Sequence, residues 1–250
     1  MPLELFHHAA STCSQKVRLC LAEKGVADWI SRPVDLAANE HLSEAFLGIN
    51  PNGVVPAIRI DGRIVVESSV ICELLDETYA PTGSLSPSDP ISRAQMRAWL
   101  RYIDEVPSMA IRVPSFQAWF LPKFQRMSDL EYEAFKQANP LRRPFMSRFD
   151  RREGFSAGDQ EIAEWQLRQS FERMAQSLAS SAWLCSASYG IADICMFPLV
   201  ARLEDLRLMR LLDGLPAVRD WYSRALARPS YATAFYQGSR AGNAHLEPRC

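Results

Sequence analysis

Three short stretches carry residue types that can do chemistry. The first, Ser11-Thr12-Cys13-Ser14, sets three nucleophile-type side chains, Ser11, Cys13 and Ser14, side by side. The alternating run Leu3-Glu4-Leu5-Phe6 precedes it, and Val17, Cys20, Leu21 and Lys24 follow at helical spacing until Gly25. The stretch therefore lies where a strand turns into a helix. A helix start presents unpaired N–H groups and a partial positive charge. An anion is stabilised there, and a thiol ionises more readily. The same place suits plain capping by Ser11, Thr12 or Ser14. Cys13 has no partner at CxxC spacing, so a dithiol redox cycle does not fit.

The second stretch is Val55-Pro56, after the turn Asn50-Pro51-Asn52-Gly53 and at the head of a strand. A cis bond there would turn the backbone N–H and C=O of Val55 toward a ligand, whereas a trans bond makes it an ordinary edge proline. The third is Glu67-Ser68, at the start of a helix with Val70, Ile71, Leu74, Leu75 and Thr78. Early helix amides hold a carboxylate and Glu67 can pair with an ammonium. A ligand carrying both groups, such as a γ-glutamyl peptide, suits the pair. So does a simple cap with a surface acid.

The elements that must position these stretches follow β-α-β-α-β-β-α over the first 80 residues, with Asp61-Gly62 as a hairpin turn. This order predicts a small mixed sheet with helices on its faces. Residues 80–90 hold three prolines, three serines and a glycine, which is linker composition. The rest reads as helical, with helices expected over 92–111, 159–181, 191–212 and 216–227. The signal weakens over 121–158, where Arg142, Arg143, Arg148, Arg151 and Arg152 cluster. They form either an anionic-ligand site or a solvated connector.

The chain has 250 residues and a net charge of −1, which argues against nucleic acid as partner. Residues 1–80 carry −5 and the remainder +4, so charge changes near the linker. No run is long and apolar enough to span a membrane. The six cysteines follow no disulfide or zinc pattern. Reduced thiols in a cytoplasmic protein are expected, with no metal site. Cys20, Cys72 and Cys195 read as buried helix positions, Cys185 is unassigned and Cys250 is a tail thiol.

The order of the three stretches resembles the glutathione transferase family. His41-Leu42-Ser43-Glu44-Ala45-Phe46 with Asn50-Pro51 is similar to the theta-class glutathione-binding segment. Ser11 to Arg18 resembles the zeta-class and bacterial dehalogenase motif. Residues 127–155 resemble the lignin β-etherase branch. Tyr189-Gly190-Ile191-Ala192-Asp193-Ile194 resembles the family's capping box, with Gly190 where Ser or Thr is usual. Glycine there supplies no side-chain acceptor.

The resemblance implies an α/β thioredoxin-like N-terminal domain (1–80), a linker (81–90) and an all-α C-terminal domain (91–250), in a homodimer. It implies that Val55 and cis Pro56 hold the cysteinyl backbone of glutathione. Glu67 and Ser68 would hold its γ-glutamyl group, and His41 its glycine end. The activating group is Ser11, Ser14 or Cys13, with Ser11 the first choice as hydroxyl donor and Cys13 the rival through a mixed disulfide. The thiolate would attack a small hydrophobic, aromatic or halogenated electrophile near His8, Phe116, Trp119 and Phe120. The alternatives are β-aryl ether cleavage, reductive dehalogenation through Cys13, or a non-catalytic interaction module on the same fold.

Overall fold

A computed structural model describes residues 3–79 and 84–240. The first unit runs β1 (Leu3–His7), α1 (Thr12–Glu23), β2 (Ile30–Pro33), a 3-10 turn (Glu40–Leu42), α2 (Glu44–Leu47), β3 (Ala57–Ile60), β4 (Arg63–Val66) and α3 (Ser68–Thr78). The sheet order is β2-β1-β3-β4, with β1 parallel to β2 and antiparallel to β3. Asp61 and Gly62 both take left-handed φ, 49° and 78°, which matches the twist a tight hairpin needs.

The second unit is helical: α4 (Pro90–Glu105), α5 (Pro107–Ala110), α6 (Arg112–Trp119), α7 (Leu121–Gln125), α8 (Asp129–Gln137), α9 (Arg143–Met146), α10 (Ala157–Leu178), α11 (Ile191–Asp205), α12 (Pro216–Leu226) and α13 (Pro229–Ala234). Two expected helices are shorter than the spacing predicts. The 92–111 helix stops at Glu105, because Pro107 lacks an N–H and its ring excludes the preceding turn. The 191–212 helix stops at Asp205. Arg207 turns left-handed there (φ 57°), and the Leu208 N–H closes back on the Leu203 carbonyl at 2.8 Å. A 3-10 turn at Met209–Leu212 carries the remainder.

Residues 121–158 wrap short helices around an aromatic core that includes Phe116, Phe124, Phe145, Phe149 and Phe155. The Tyr132 hydroxyl donates to the Phe149 carbonyl at 2.8 Å. Helices this brief show no sustained period, which is why the pattern fades in sequence.

Helix α1 joins the two units. Its residues Ser14 to Leu21 are all buried, between α3 and the helical α11 and α13. Its polar members are satisfied across the boundary: Gln15 Nε2 donates to the Ser239 carbonyl at 2.6 Å, and Lys16 Nζ to Asp104 at 2.8 Å. A second tie runs from Lys24 to Asp76 at 2.9 Å, and from Asp76 to the Leu85 N–H at 2.8 Å. The Leu85 carbonyl then accepts the Ile191 N–H at 3.2 Å. This tie accounts for Gly190. A Cβ there would lie 2.6 Å from the Leu85 oxygen, so the backbone carbonyl takes the place that a capping side chain would fill. The other half of the box is intact, since Asp193 accepts the Gly190 N–H at 3.1 Å.

Candidate active site

The β1–α1 turn divides its three nucleophiles among different tasks. Ser11 is the N-cap of α1, and its hydroxyl accepts the Ser14 N–H at 3.3 Å. Ser14 is fully buried, with its hydroxyl accepting the His8 N–H at 3.3 Å. Cys13, the second residue of α1, is half-buried and stands on a cavity wall. The opposite walls are Val55, Pro56, Glu67 and Ser68.

Each wall is set by local structure. The Val55-Pro56 bond is cis, just before β3. Neither backbone group of Val55 has a hydrogen-bond partner among the described residues. Glu67 precedes α3 with φ 69°, a conformation that costs a non-glycine residue free energy and concentrates at functional sites. Its carboxylate lies 3.5 Å from Asn52 Nδ2 and does not cap α3. The first N–H groups of α3 therefore remain available beside buried Ser68. The N-termini of α1 and α3 meet at one cavity, and both favour negative charge. Lys16, Arg142 and Arg202 each lie close enough to Cys13 for a negative sulfur there to favour their charge.

A second cavity adjoins the first, with Phe116, Phe120 and His41 on its walls and Arg142 shared between the two. His41 is buried and its Nδ1 has no partner among the described residues. Burial, helped by the charges of Arg142 and Lys123, holds its ring down to about 4, so it is neutral near pH 7.

The sequence matches the description "Glutathione S-transferase, N-terminal domain" over residues 10–78 and "Glutathione S-transferase, C-terminal domain" over 138–229. It is 32% identical to Protein LigF of Sphingobium sp., over 96% of this chain and 95% of that one. The chain belongs to the glutathione S-transferase family. The transferase is also 27% identical to the tetrachloro-p-hydroquinone reductive dehalogenase of Sphingobium chlorophenolicum, over 93% of this chain and 95% of that one. The crystal structure of beta-etherase LigF from Sphingobium sp. superposes with a TM-score of 0.84 at 30% identity, covering 94% of this chain and 99% of that one. The family's α/β sheet domain and helical domain are both present. The chain is a glutathione-using enzyme.

Cys13, Val55, Pro56, Glu67 and Ser68 of the transferase thus share one cavity, while His41, Phe116 and Phe120 share its neighbour. Phe116 and Phe120 stack with centroids 4.3 Å apart. Four residues expected at the site lie off these walls, and one is Ser14, buried with its hydroxyl on the His8 N–H. Ser11 accepts the Ser14 N–H as the cap of α1, a bond that leaves its O–H free to donate. The Trp119 ring lies under the Arg202 guanidinium at 5.0 Å. His8 is partly buried, and its ring lies near Asp35 and Arg202. Trp99 packs in the core with Tyr102. Sequence reasoning missed Arg112, although Arg112, Phe116 and Phe120 recur every four residues and so share a helix face. None of the described helices is long and apolar enough to cross a membrane.

Proposed function

We propose that the transferase joins the glutathione thiolate to an aromatic electrophile, halogenated or ether-linked. The observation that carries this reading is the single cavity formed by Cys13, Val55, Pro56, Glu67 and Ser68 between two helix N-termini. The γ-glutamyl carboxylate sits on the first amides of α3 beside Ser68, and its ammonium pairs with Glu67. The cysteinyl backbone pairs with Val55, alongside Pro56, and the glycine end points to His41. The sulfur then lies at Cys13. The thiol proton leaves to water, favoured by the helix end and the nearby cations. The thiolate sulfur forms a bond to carbon, and the halide or aryloxide departs with the electron pair of the broken bond. The helical domain presents Phe116 and Phe120 to the acceptor. Two relatives are named for ether cleavage and for reductive dehalogenation, and both fit this chemistry.

The position of Cys13 favours a second, covalent step for a reductive outcome. The Cys13 thiolate attacks the sulfur of a glutathionyl-aryl conjugate. The carbon–sulfur bond breaks, the aryl carbon keeps the electron pair and takes a proton, and a Cys13–glutathione disulfide forms. A second glutathione reduces it, releasing oxidised glutathione.

The division into 1–80, 81–90 and 91–250 belongs to the same reading, and part of the linker lies outside the described residues. A homodimer belongs to this reading as well, and the apolar side chains Val70 on α3 and Ile91 on α4 are exposed and open to such a contact. A cytoplasmic location suits Cys13, Cys20, Cys72, Cys185 and Cys195, all free thiols. Cys250 lies outside the described residues.

The test is a panel of a chlorodinitrobenzene, a β-aryl ether and a halohydroquinone, each with and without glutathione. Glutathione-dependent turnover of at least one is expected. Glu67→Gln should weaken glutathione binding about tenfold by removing the ammonium's partner. No retention on immobilised glutathione and no thermal shift with it would defeat the reading.

A further inference from the structure

Arg142 differs from Arg148 and Arg151 of its segment. Arg148 pairs with Asp159, and Arg151 pairs with Asp129 at 2.5 Å. Arg142 has no acidic partner among the described residues, and its Nε is buried without any hydrogen-bond partner. Its side chain is the wall shared by the two cavities, with Cys13 on one side and Phe116 and Phe120 on the other. Arg112 faces the Cys13 cavity too. Among the described residues its guanidinium makes one hydrogen bond, a weak one from Nη1 to the Met109 sulfur at 3.0 Å. Glu67 is the acid on these walls, and it pairs with neither arginine.

Two guanidiniums are therefore held near each other, neither of them ion-paired among the described residues. Burial, reinforced by Arg112, lowers Arg142 to about 10. A bound anion would relieve the repulsion, the desolvation and the orphaned donor together. Guanidinium is also the cation best shaped for a planar oxyanion. The neighbours indicate which anion. Arg112 lies one turn before Phe116 and two before Phe120, so one helix face offers a charge and then two stacked rings. A flat aromatic body with a charged substituent matches that face, with its reacting carbon toward Cys13.

We propose that Arg142 and Arg112 bind a carboxylate or phenolate substituent of the aromatic acceptor, so that the enzyme prefers anionic aromatic electrophiles to neutral ones. The proposal rests on the function given above for its acceptor. The glycine carboxylate of glutathione is the other source of the same chemistry, because His41 adjoins Arg142.

Binding without glutathione separates the cases. Calorimetry with a nitrobenzoate and the matching nitrobenzamide should show that wild type prefers the benzoate. Arg142→Met should reduce the benzoate-to-benzamide affinity ratio about 10- to 100-fold, the cost of a lost charged hydrogen bond. Arg142→Lys should restore part of the ratio, and circular dichroism checks that each variant is folded. Turnover with a chloronitrobenzoate and a chloronitrobenzamide should reproduce the ratio, with glutathione KM moving less than the benzoate KM. Equal wild-type binding of the two ligands would overturn the proposal. So would equal losses for both in Arg142→Met, or a rise in glutathione KM that exceeds the rise for benzoate. Selective benzoate binding with no glutathione transfer to any acceptor would leave this proposal standing and defeat the function it rests on.

Discussion

Cys13→Ala should lower kcat/KM with an aromatic electrophile about 100-fold, because it removes the S–H that would donate to the glutathione thiolate, a loss comparable to removing one transition-state hydrogen-bond donor. The thiol stands on the cavity wall at the second position of α1, opposite Val55 and Ser68. A sulfur bound there meets the helix end and the charges of Lys16, Arg142 and Arg202. Because the glutathione backbone would be held by other residues, its KM should change far less than kcat. Ser11→Ala is the contrast. Ser11 accepts the Ser14 N–H as its cap and lies off the cavity wall that Cys13 lines, so its loss should cost about 1 kcal/mol of stability and much less turnover. Steady-state kinetics and chemical denaturation of both variants check this. If Ser11→Ala carried the catalytic loss instead, the serine would be the donor and Cys13 a bystander.

Asp193→Ala should destabilise the protein by about 3–5 kcal/mol, a large share of the stability of an ordinary domain. Asp193 is buried at the head of α11 and accepts from Leu184 N–H at 3.0 Å, Trp221 Nε1 at 2.7 Å and Gly190 N–H at 3.1 Å. Alanine would strand all three donors in the core. Urea denaturation measures the loss, and an unchanged midpoint would contradict it. The same carboxyl carries a pH signature. Burial outweighs its donors and raises it from 3.8 to about 6. Its contribution is then full below 3.8 and is lost as pH rises through about 6. The stability of wild type should fall relative to Asp193→Asn over that window and run parallel to it above.

Much of the first unit was legible because its signals are local. The alternation in Leu3 to Phe6, the Asp61-Gly62 turn and the spacing of Val70, Ile71, Leu74 and Leu75 all correspond to observed elements. So did the three stretches that meet at the cavity, because a strand end or a helix start can be read from a few residues. Helix ends were less legible. Pro107 breaks α4 and left-handed Arg207 ends α11, in both cases where apolar spacing continues. The division of labour between Ser11 and Cys13 was hidden as well. Both suit a helix start, and only the geometry shows which one caps. The burial of Lys16 and Arg18 in α1 could not be read locally, because Asp104 and the Ala234 carbonyl meet them from across the boundary. Arg142 stayed ambiguous for the same reason. Arg148 and Arg151 are ion-paired to acids close in the chain, whereas the surroundings of Arg142 come from α1, α6 and the Val55 turn.

The most direct measurement is peptide-resolved mass spectrometry after treatment with oxidised glutathione, in a Cys250→Ser background. With the glutathione sulfur at Cys13, a glutathione adduct should form there and disappear with reductant. Cys185 is the internal control, since burial pushes its thiol up to about 12. Cys20, Cys72 and Cys195 are buried and should also stay unmodified. No adduct on Cys13, or equal labelling of Cys13 and Cys185, would contradict the placement of glutathione over the start of α1.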